Sequence, residues 1–348
     1  MGTTHARAIR AAGGRVHAAV GSGPSRANHA AAAVGASIGY ESVHGALSDS
    51  AVDVVHICTP NSSHAAIAIE AMEAGKDVVC EKPMATTGAD AARIYDASRR
   101  TGRKVTVPFV YRFHPLVREI RERVRLGGLG LAAVAHGSYL QDWLAHPETM
   151  NWRVDIEDGG VSRAFADIGS HWCDLFEFIS GQRIGRVSAQ FSTLIEGRTG
   201  MERVATEDVA VVQFITTEGM LGSVVLAQVA AGRKNRLVIE LSGTKASYVF
   251  DQEQPDSFWL GGLDASQLIV RDSTKLGGDA ARLSFLPAGH PQGYQDCFNS
   301  FVADSYEYFC GATPVGLPVV VDGLRAAHLV DAVVASARSG GEWSLVSD

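Results

Sequence analysis

The sequence lacks several features that mark whole classes of protein. No apolar run approaches the roughly 20 residues that a membrane-spanning helix needs, and the first residues include no apolar stretch typical of a secretion signal. Basic residues are outnumbered, with 31 Lys and Arg against 38 Asp and Glu, and the net charge is −7. This balance disfavours nucleic acids and anionic membranes as partners, so we expect a cytoplasmic protein with partners of another kind.

Cysteine patterns and metal-binding patterns are also missing. The five cysteines are scattered along the chain, and no two of them form a CxxC pair. This arrangement indicates buried, reduced thiols rather than a disulfide framework or a cysteine zinc site. The 12 histidines include no HExxH sequence and no close cluster with Asp or Glu. We therefore expect no catalytic metal.

The first third of the chain alternates two kinds of pattern. Short apolar runs at 16–20, 52–58, 77–80 and 104–107 are separated by Ala-rich helical stretches. Strands that alternate with helices of about 10–15 residues predict βαβ units and a parallel sheet. The near-continuous apolar character of these runs is typical of strands that are buried on both faces.

Beyond Tyr111 the pattern changes to a succession of strands. Apolar runs rich in β-formers lie at 132–140, 187–194, 208–216, 221–230 and 237–242. Helical patterns interrupt or follow them near 115–125, 163–179, 294–309 and 322–339. Because few helices separate these strands, we expect a mostly antiparallel sheet.

The opening segment, MGTTHARAIRAAGG, is a helical pattern with no strand before it. In a dinucleotide-binding fold the first strand runs into G-x-G-x-x-G, and the third glycine lies in the following helix. One interpretation makes Gly2 that third glycine, with the first strand and the first two glycines absent from this sequence. The alternative is a fold that has no such fingerprint.

The stretch VDVVHICTPNSSHAAIAIEAMEAGKDVVCEKPMATT favours the first interpretation. With its CTPN and Glu81-Lys82-Pro83 strand ends, it resembles the glucose–fructose oxidoreductase/inositol dehydrogenase/rhizopine-catabolism (Gfo/Idh/MocA) family. The segments TVPFVYRFHPLVREIRERV, FADIGSHWCDL and GHPQGYQDCF resemble family segments in the same order. GSYLQDW followed by NWRVD is similar to a sugar dehydrogenase subgroup that includes levoglucosan dehydrogenase.

The resemblance implies a two-domain architecture of the α/β plus α+β class. Residues 1–110 would form a Rossmann domain with a doubly wound parallel sheet. Residues 111–348 would form a mostly antiparallel open-sheet domain for substrate binding and oligomerisation, with C-terminal helices. The absence of the first strand then distinguishes this sequence from the family, and we expect the natural protein to begin roughly 10–20 residues upstream. Its loss would leave two interior strands without a ladder partner.

The implied activity is an NAD(P)-dependent dehydrogenase that transfers a hydride between the CH–OH group of a sugar or cyclitol and the cofactor. Asp167 and His171 are four residues apart on a predicted helix, so they would project from one face about one turn apart. At the position of the family's catalytic pair, His171 would exchange the substrate proton and Asp167 would orient it. Lys82 would stabilise the oxyanion, and the Lys82–Pro83 bond is expected to be cis.

The remaining site residues fall into two sets. The residues expected to bind the cofactor are Gly2, Ser22, Arg26, Thr59, Pro60, Asn61, His64, Glu81, Lys82, Trp152 and Arg153. The residues expected to bind the substrate are Lys82, Tyr111, Arg112, Tyr139, Gln141, Trp143, Asp167, His171 and His290. Because no acidic residue follows the second strand, the hydroxyl of Ser22 and the guanidinium of Arg26 favour NADP over NAD. His64 has an alternative interpretation as a helix N-terminal residue that packs beneath a loop.

The resemblance also implies a homodimer or homotetramer that pairs through the second-domain sheet. Two other functions stay open at this point. Some relatives use tightly held NAD for transient oxidation during glycoside cleavage, with no net redox change. A non-catalytic sugar or cofactor sensor is the second alternative.

Overall fold

The computed structural model describes residues 1–347, which divide into two units. Unit 1 comprises Met1–Ala85, Ala89–Val110 and Tyr294–Leu324, and unit 2 comprises Thr86–Gly88, Tyr111–Gly293 and the chain from Arg325 onward. The predicted division at residue 110 therefore differs from the observed one, because Tyr294–Leu324 joins unit 1.

The described chain contains eleven α-helices and fourteen strands. The helices are α1 Gly2–Ala11, α2 Pro24–Val34, α3 Val43–Leu47, α4 His64–Glu73, α5 Gly88–Thr101, α6 Pro115–Arg125, α7 Ile156–Gly159, α8 Ser170–Ser180, α9 Gly278–Leu283, α10 Tyr294–Phe309 and α11 Val320–Arg338. The strands are β1 Ala18–Val20, β2 Ile38–Tyr40, β3 Val54–Ile57, β4 Asp77–Cys80, β5 Val105–Thr106, β6 Ala132–Leu140, β7 Ile184–Ser192, β8 Val209–Thr216, β9 Leu221–Ala227, β10 Arg236–Gly243, β11 Ala246–Asp251, β12 Ser257–Gly262, β13 Ser266–Val270 and β14 Ser344–Leu345. None of these helices is long and apolar enough to cross a membrane.

The strands of unit 1 are parallel, as the alternation of strands and helices predicts. They form two sheets, β1-β2 and β3-β4-β5. Among the described residues, β1 and β3 each have a ladder partner on one side only. Strand β2 was not predicted, because it is only three residues long and its central residue is a glycine.

Helix α10 joins unit 1 because its aromatic side chains pack against α1. The ring of Phe298 meets the ring of His5 edge to face, with 4.7 Å between centroids. A side chain at Gly14, just after α1, would lie 3.0 Å from the Tyr306 ring. This packing fixes α1 at its two ends, which matters for the position of His5.

Unit 2 is built on a nine-stranded sheet in the order β13-β12-β11-β10-β6-β9-β8-β7-β14. All neighbours in it are antiparallel except β6 and β9, which confirms the mostly antiparallel prediction. Helix α8 covers one face, where Trp172 and Phe176 stack together and meet Phe214 of β8. The predicted strands ended at residue 242, whereas β11, β12 and β13 extend the sheet further.

The helix predicted for 163–179 is not uniform. Phe165–Gly169 forms a π-helical turn, and α8 follows it directly. Gly169 permits this arrangement, because a Cβ there would lie 2.5 Å from Phe165 Cδ2 and 2.7 Å from Leu226 Cδ1 of β9. Asp167 therefore lies in the wider turn, whereas His171 lies in α8.

Candidate active site

Lys82 lies in the turn that follows β4 of the parallel sheet. The Glu81 N–H donates to the Ile57 carbonyl at the end of β3, with 3.0 Å between N and O. The Lys82–Pro83 peptide bond is cis, as expected. Lys82 thus follows the carboxyl end of a parallel strand, where open α/β sheets bind their ligands.

Glu81 is a buried carboxylate that organises this turn. Its Oε2 accepts the Lys82 backbone N–H at 3.1 Å, and its Oε1 lies 2.9 Å from Nε2 of His5. Burial alone would raise the pKa of Glu81, but the hydrogen bond from His5 and the charges of His5 and Lys82 lower that pKa to about 2. The carboxylate is therefore ionised across the physiological pH range.

His64 joins the turn after β3 to the turn after β4. Its Nδ1 lies 2.9 Å from the Pro83 carbonyl oxygen, and its Nε2 lies 2.9 Å from the Thr59 carbonyl oxygen. Burial lowers the pKa of His64, so its neutral ring donates one hydrogen bond at a time. A fully buried ring held by two carbonyls supports the packing interpretation of this residue.

The turn after β3 carries three more of the expected cofactor residues. The Ser63 hydroxyl lies 2.6 Å from Oγ1 of Thr59 and 2.8 Å from the Pro60 carbonyl oxygen. Asn61 is buried at the start of a short 3₁₀ turn. The structure thus brings Thr59, Pro60 and Asn61 together with the Lys82 turn through His64.

The turn between β1 and α2 has the chemistry of an anion site. Nη1 of Arg26 donates to the Ser22 hydroxyl oxygen at 3.0 Å, and the first turn of α2 contains no acidic residue. A Cβ at Gly21 would lie 2.5 Å from the backbone nitrogen of Ala27, so only glycine allows the strand end and helix to approach this closely. Helix N-terminal N–H groups and a cation suit a phosphate or ribose of a dinucleotide.

Gly2 shows no comparable steric requirement. It lies at the start of α1, and a Cβ built there would meet Val34 Cγ1 at 3.8 Å, an ordinary contact. The described residues thus leave space for a side chain at the position interpreted as the third fingerprint glycine.

Asp167 of unit 2 is held through both of its carboxylate oxygens. Nε2 of Gln228 donates to Oδ2 at 2.8 Å, and Nε of Arg153 lies 3.4 Å from Oδ1. The Arg153 guanidinium also lies over the Trp152 ring, 4.3 Å from its centroid. The structure therefore connects the predicted Trp152-Arg153 pair to the predicted catalytic carboxylate, and the fully buried Gln228 was not identified from the sequence.

His171 is buried in the first turn of α8 beside an aromatic ring. Its ring meets the Tyr111 ring edge to face, with 5.0 Å between centroids. Asp167 and His171 were predicted on one regular α-helix, but they lie on either side of the π-to-α junction. Their relative direction therefore follows the wider i→i+5 turn rather than simple i, i+4 spacing.

Three of the expected substrate residues contact Asn235, and a fourth, Trp143, contacts one of these three. The Tyr111 and Tyr139 hydroxyls lie 2.6 Å apart, Tyr139 donates to Asn235 Oδ1 at 2.7 Å, and Asn235 Nδ2 donates back to Tyr111 at 3.1 Å. Gln141 Nε2 also donates to Asn235 Oδ1 at 2.7 Å, and Trp143 Nε1 donates to Gln141 Oε1 at 2.9 Å. Nothing in the sequence pattern marked Asn235, which directly precedes β10.

Two expected substrate residues have other surroundings. Arg112 forms a buried two-point ion pair with Asp174, through Nε at 2.8 Å and through Nη2, and it stacks on Phe178. This pairing supports a structural role for Arg112. His290 is exposed on the loop before α10, and within the described chain its side chain has no hydrogen bond to the Asn235 network.

No group of three or more His, Cys, Asp or Glu side chains within residues 1–347 is arranged to hold a metal ion. Unit 1 offers a phosphate-compatible turn and an ordered lysine turn, and unit 2 offers the anchored carboxylate of Asp167 and a polar network. These features suit cofactor-dependent proton and hydride transfer at a hydroxyl group.

The fold and these residues define an oxidoreductase class with a Rossmann-type unit and an open-sheet unit. Residues 1–109 match a model described as an oxidoreductase family with an NAD-binding Rossmann fold. Residues 117–249 match the GFO/IDH/MocA C-terminal domain. The chain belongs to the Gfo/Idh/MocA oxidoreductase family.

Named relatives agree with this assignment. Levoglucosan dehydrogenase of Pseudarthrobacter phenanthrenivorans is 35% identical over 230 residues, which cover 60% of this chain and 58% of the relative. Inositol 2-dehydrogenase 2 of Saccharopolyspora erythraea is 29% identical over 224 residues, or 64% of this chain and 62% of the relative. The chain thus aligns with less than two thirds of the length of either protein.

The structure is also similar to a solved complex. A levoglucosan dehydrogenase with bound NADH and levoglucosan superposes with a TM-score of 0.92 at 28% identity. The match covers 100% of this chain and 96% of that chain. The Rossmann-type unit followed by a mostly antiparallel unit is therefore the architecture of this family.

Proposed function

We propose that the protein is an NAD(P)-dependent dehydrogenase that oxidises a CH–OH group of a sugar or cyclitol. The observation that carries the proposal is the anchoring of Asp167 by Gln228 and Arg153 beside the helix that bears His171. A carboxylate held through both oxygens has a fixed direction, and it favours the charged form of a nearby imidazole. Such a pair suits acceptance of a hydroxyl proton.

The proposed roles follow from the chemistry of each group. His171 accepts the hydroxyl proton, Asp167 orients His171, and Lys82 stabilises the negative charge that develops on the substrate oxygen. The nicotinamide cofactor, when bound, supplies the hydride acceptor. The turn with Ser22 and Arg26, the turn from Thr59 to Asn61, and the Trp152-Arg153 pair are the proposed cofactor contacts.

The polar network of unit 2 supports a polyhydroxy substrate. Tyr111, Tyr139, Gln141 and Asn235 combine donors and acceptors in one connected set, and Trp143 adds an aromatic face. A sugar or cyclitol presents hydroxyl groups, each of which can donate and accept hydrogen bonds, around a patch of C–H bonds. The named relatives act on levoglucosan and inositol, according to their names, which places both compounds first in a substrate screen.

The cofactor preference is a separate part of the proposal. The Ser22–Arg26 pair favours NADP, since a guanidinium attracts the 2′-phosphate and no acidic residue in the first turn of α2 repels it. The solved relative was studied with NADH. Titration of NADPH and NADH into the wild type and Arg26→Ala tests this point, and a selective loss of NADPH affinity is expected. Equal effects on both cofactors would contradict it.

We also propose that a second copy of the chain covers the outer face of the nine-stranded sheet. Val211, Leu221, Val225, Trp259 and Leu268 are exposed there. Val211 opposes Val225 and Trp259 opposes Leu268 in the ladder, so the apolar side chains lie side by side. An exposed apolar face of this kind is typical of an interface in a dimer or tetramer.

The activity is tested by incubating the protein with NAD⁺ or NADP⁺ and a panel of sugars and cyclitols. Reduced cofactor should accumulate with at least one of them, and His171→Gln should lower kcat by about 10²-fold or more. His44→Gln is the matched control, because the side chain of His44 is 86% exposed on α3. Glycoside cleavage without accumulation of reduced cofactor would overturn the proposal in favour of hydrolysis.

A further inference from the structure

A chain of hydrogen bonds runs through unit 1 beside the Lys82 turn, and the proposed reaction does not use it. It begins at Glu81 Oε1, which lies 2.9 Å from His5 Nε2. His5 Nδ1 lies 2.8 Å from His56 Nδ1, and His56 Nε2 lies 3.0 Å from the Tyr306 hydroxyl. Four side chains from four separate segments are therefore joined end to end.

The ring of His5 is closely surrounded. It is 1% exposed, and it meets the Phe298 ring edge to face and the His56 ring at 88°. The titratable groups that face it are Glu81 after β4, His56 on β3 and Cys58 after β3. Of these three groups, only Glu81 is a carboxylate.

The charges of His5 and His56 in this chain of hydrogen bonds follow from their surroundings. Burial lowers the pKa of His5, but Cys58 and Glu81 outweigh it and raise that pKa to about 9. Desolvation, with the charge of His5, lowers the pKa of His56 well below its usual value. His5 is thus the cation, and it donates from Nε2 to Glu81 and from Nδ1 to a neutral His56, whose Nε2–H then donates to Tyr306.

We propose that His5 is a positioning residue that, through Glu81, fixes the turn carrying Lys82, while His56 and Tyr306 fix the orientation of the His5 ring. Glu81 accepts from His5 with Oε1 and from the Lys82 backbone N–H with Oε2. Removing the cation takes away the side-chain hydrogen bond and the nearest charge that favour the ionised Glu81, and a buried carboxylate that loses such a partner attracts a proton or moves toward water. Either change releases the Lys82 N–H. The importance of this turn for catalysis rests on the proposed function.

The direct test is amide hydrogen exchange at Lys82, measured by NMR on the full chain. In His5→Gln the hydrogen of the Lys82 amide should exchange about tenfold faster or more, because its hydrogen bond to Glu81 would open more often. The control is His17→Gln, which breaks another histidine–carboxylate pair of unit 1, His17 Nε2 to Asp49 Oδ2 at 2.7 Å. Unchanged exchange at Lys82 in His5→Gln would overturn the proposal.

The double variant His5→Gln/Glu81→Gln separates positioning from general destabilisation. The oxygen of the glutamine at position 81 can accept the Lys82 N–H while its amide nitrogen donates to the side-chain oxygen of the glutamine at position 5, so a network without a buried charge forms and most of the protection at Lys82 should return. A second measurement needs no variant: the ring nitrogens of His5 in the wild type should both be protonated at neutral pH. A neutral His5 ring there would also overturn the proposal.

Activity measurements then distinguish this inference from the proposed function. In a working dehydrogenase His5→Gln should reduce kcat more than it changes the KM for the cofactor, and the double variant should recover part of the loss. If exchange at Lys82 responds but no oxidoreductase activity exists, the proposed function fails and the positioning role stands. If activity exists and exchange does not respond, the positioning role fails.

Discussion

Asp167 is the residue on which the polar contacts of the candidate site in unit 2 converge. Gln228 and Arg153 take one carboxylate oxygen each, and Arg153 in turn stacks on Trp152. A neutral amide donor at Gln228 is compatible with an ionised Asp167, whereas a second carboxylate would not be. This dependence makes Gln228 a sensitive point for the proposed proton transfer.

We predict that Gln228→Glu lowers activity at neutral pH. The new carboxylate would repel Asp167 at about 2.8 Å, so the pair would share a proton and no longer favour the charged imidazole. kcat/KM should fall about tenfold or more near pH 7 and recover partly at higher pH. The pH dependence of kcat/KM is the measurement, and Gln254→Glu, in the exposed turn between β11 and β12, is the control. An unshifted pH profile in Gln228→Glu would contradict the role given to Asp167.

The His5–Glu81 pair predicts how stability depends on pH. The pKa of His5 is raised from 6.5 to about 9, so its contribution is fully present below pH 6.5 and is lost as pH rises through 9. The contribution is on the order of 3 kcal/mol at most. The free energy of unfolding, measured in denaturant between pH 6 and 10, should fall in the wild type and stay flatter in His5→Gln. Parallel curves for the two proteins would exclude the pair as the cause.

Glu81 predicts how the free energy of unfolding changes at acidic pH. Its pKa is lowered from 4.5 to about 2, so its contribution is present above pH 4.5 and is lost as pH falls through 2. Both contributions include the His5–Glu81 contact, and they are therefore not added together.

At the scale of single elements, the π-helical turn Phe165–Gly169 determines where Asp167 points. Gly169 is the residue that this turn requires, because Phe165 and Leu226 lie too close for a side chain. π-helical turns inside helices are frequent at functional sites. The turn thus connects packing against β9 with the direction of the proposed catalytic carboxylate.

We predict that Gly169→Ala destabilises the protein and also reduces activity. The new methyl group would meet Phe165 at 2.5 Å and Leu226 at 2.7 Å, and such overpacking costs about 1–3 kcal/mol. Denaturant unfolding and kcat are the two measurements. Gly185→Ala is the matched control, since a Cβ there has ordinary contacts from 3.4 Å outward. Full activity in Gly169→Ala would show that the turn does not position Asp167.

Elements with a strong local signal were predictable from the sequence. Helix α6 was predicted at 115–125 and observed at Pro115–Arg125, where Pro115 occupies the first turn. Strand β6 was predicted at 132–140, as observed. By contrast, β2 and β14 are too short to produce a pattern, and they form only because neighbouring strands pair with them.

The site was predictable only in part, for a similar reason. Lys82, Asp167 and His171 belong to motifs with fixed spacing, so the family resemblance identified them. Gln228, Asn235 and His5 act through contacts with residues that are distant along the chain. No local pattern encodes such contacts, and the structure was needed to find them.

At the scale of the whole molecule, the outer face of the nine-stranded sheet predicts association of two or more copies. Val225→Lys would place a charge beside Val211 in the centre of this face, and burying it in an interface would be costly. We therefore expect the variant to be smaller than the wild type in analytical ultracentrifugation. Leu126→Lys, at the exposed end of α6, is the control. A wild type that is monomeric at all concentrations would contradict the proposed interface.

The proposed reaction moves a hydride from a polyhydroxy substrate to a nicotinamide cofactor. The most direct measurement uses levoglucosan and myo-inositol with deuterium at the carbinol carbons, followed by mass spectrometry of the reduced cofactor. We expect deuterium in the cofactor with the wild type, and a rate lower by about 10²-fold or more in His171→Gln. Cofactor that stays oxidised and unlabelled with both substrates and with the rest of a sugar and cyclitol panel would contradict it.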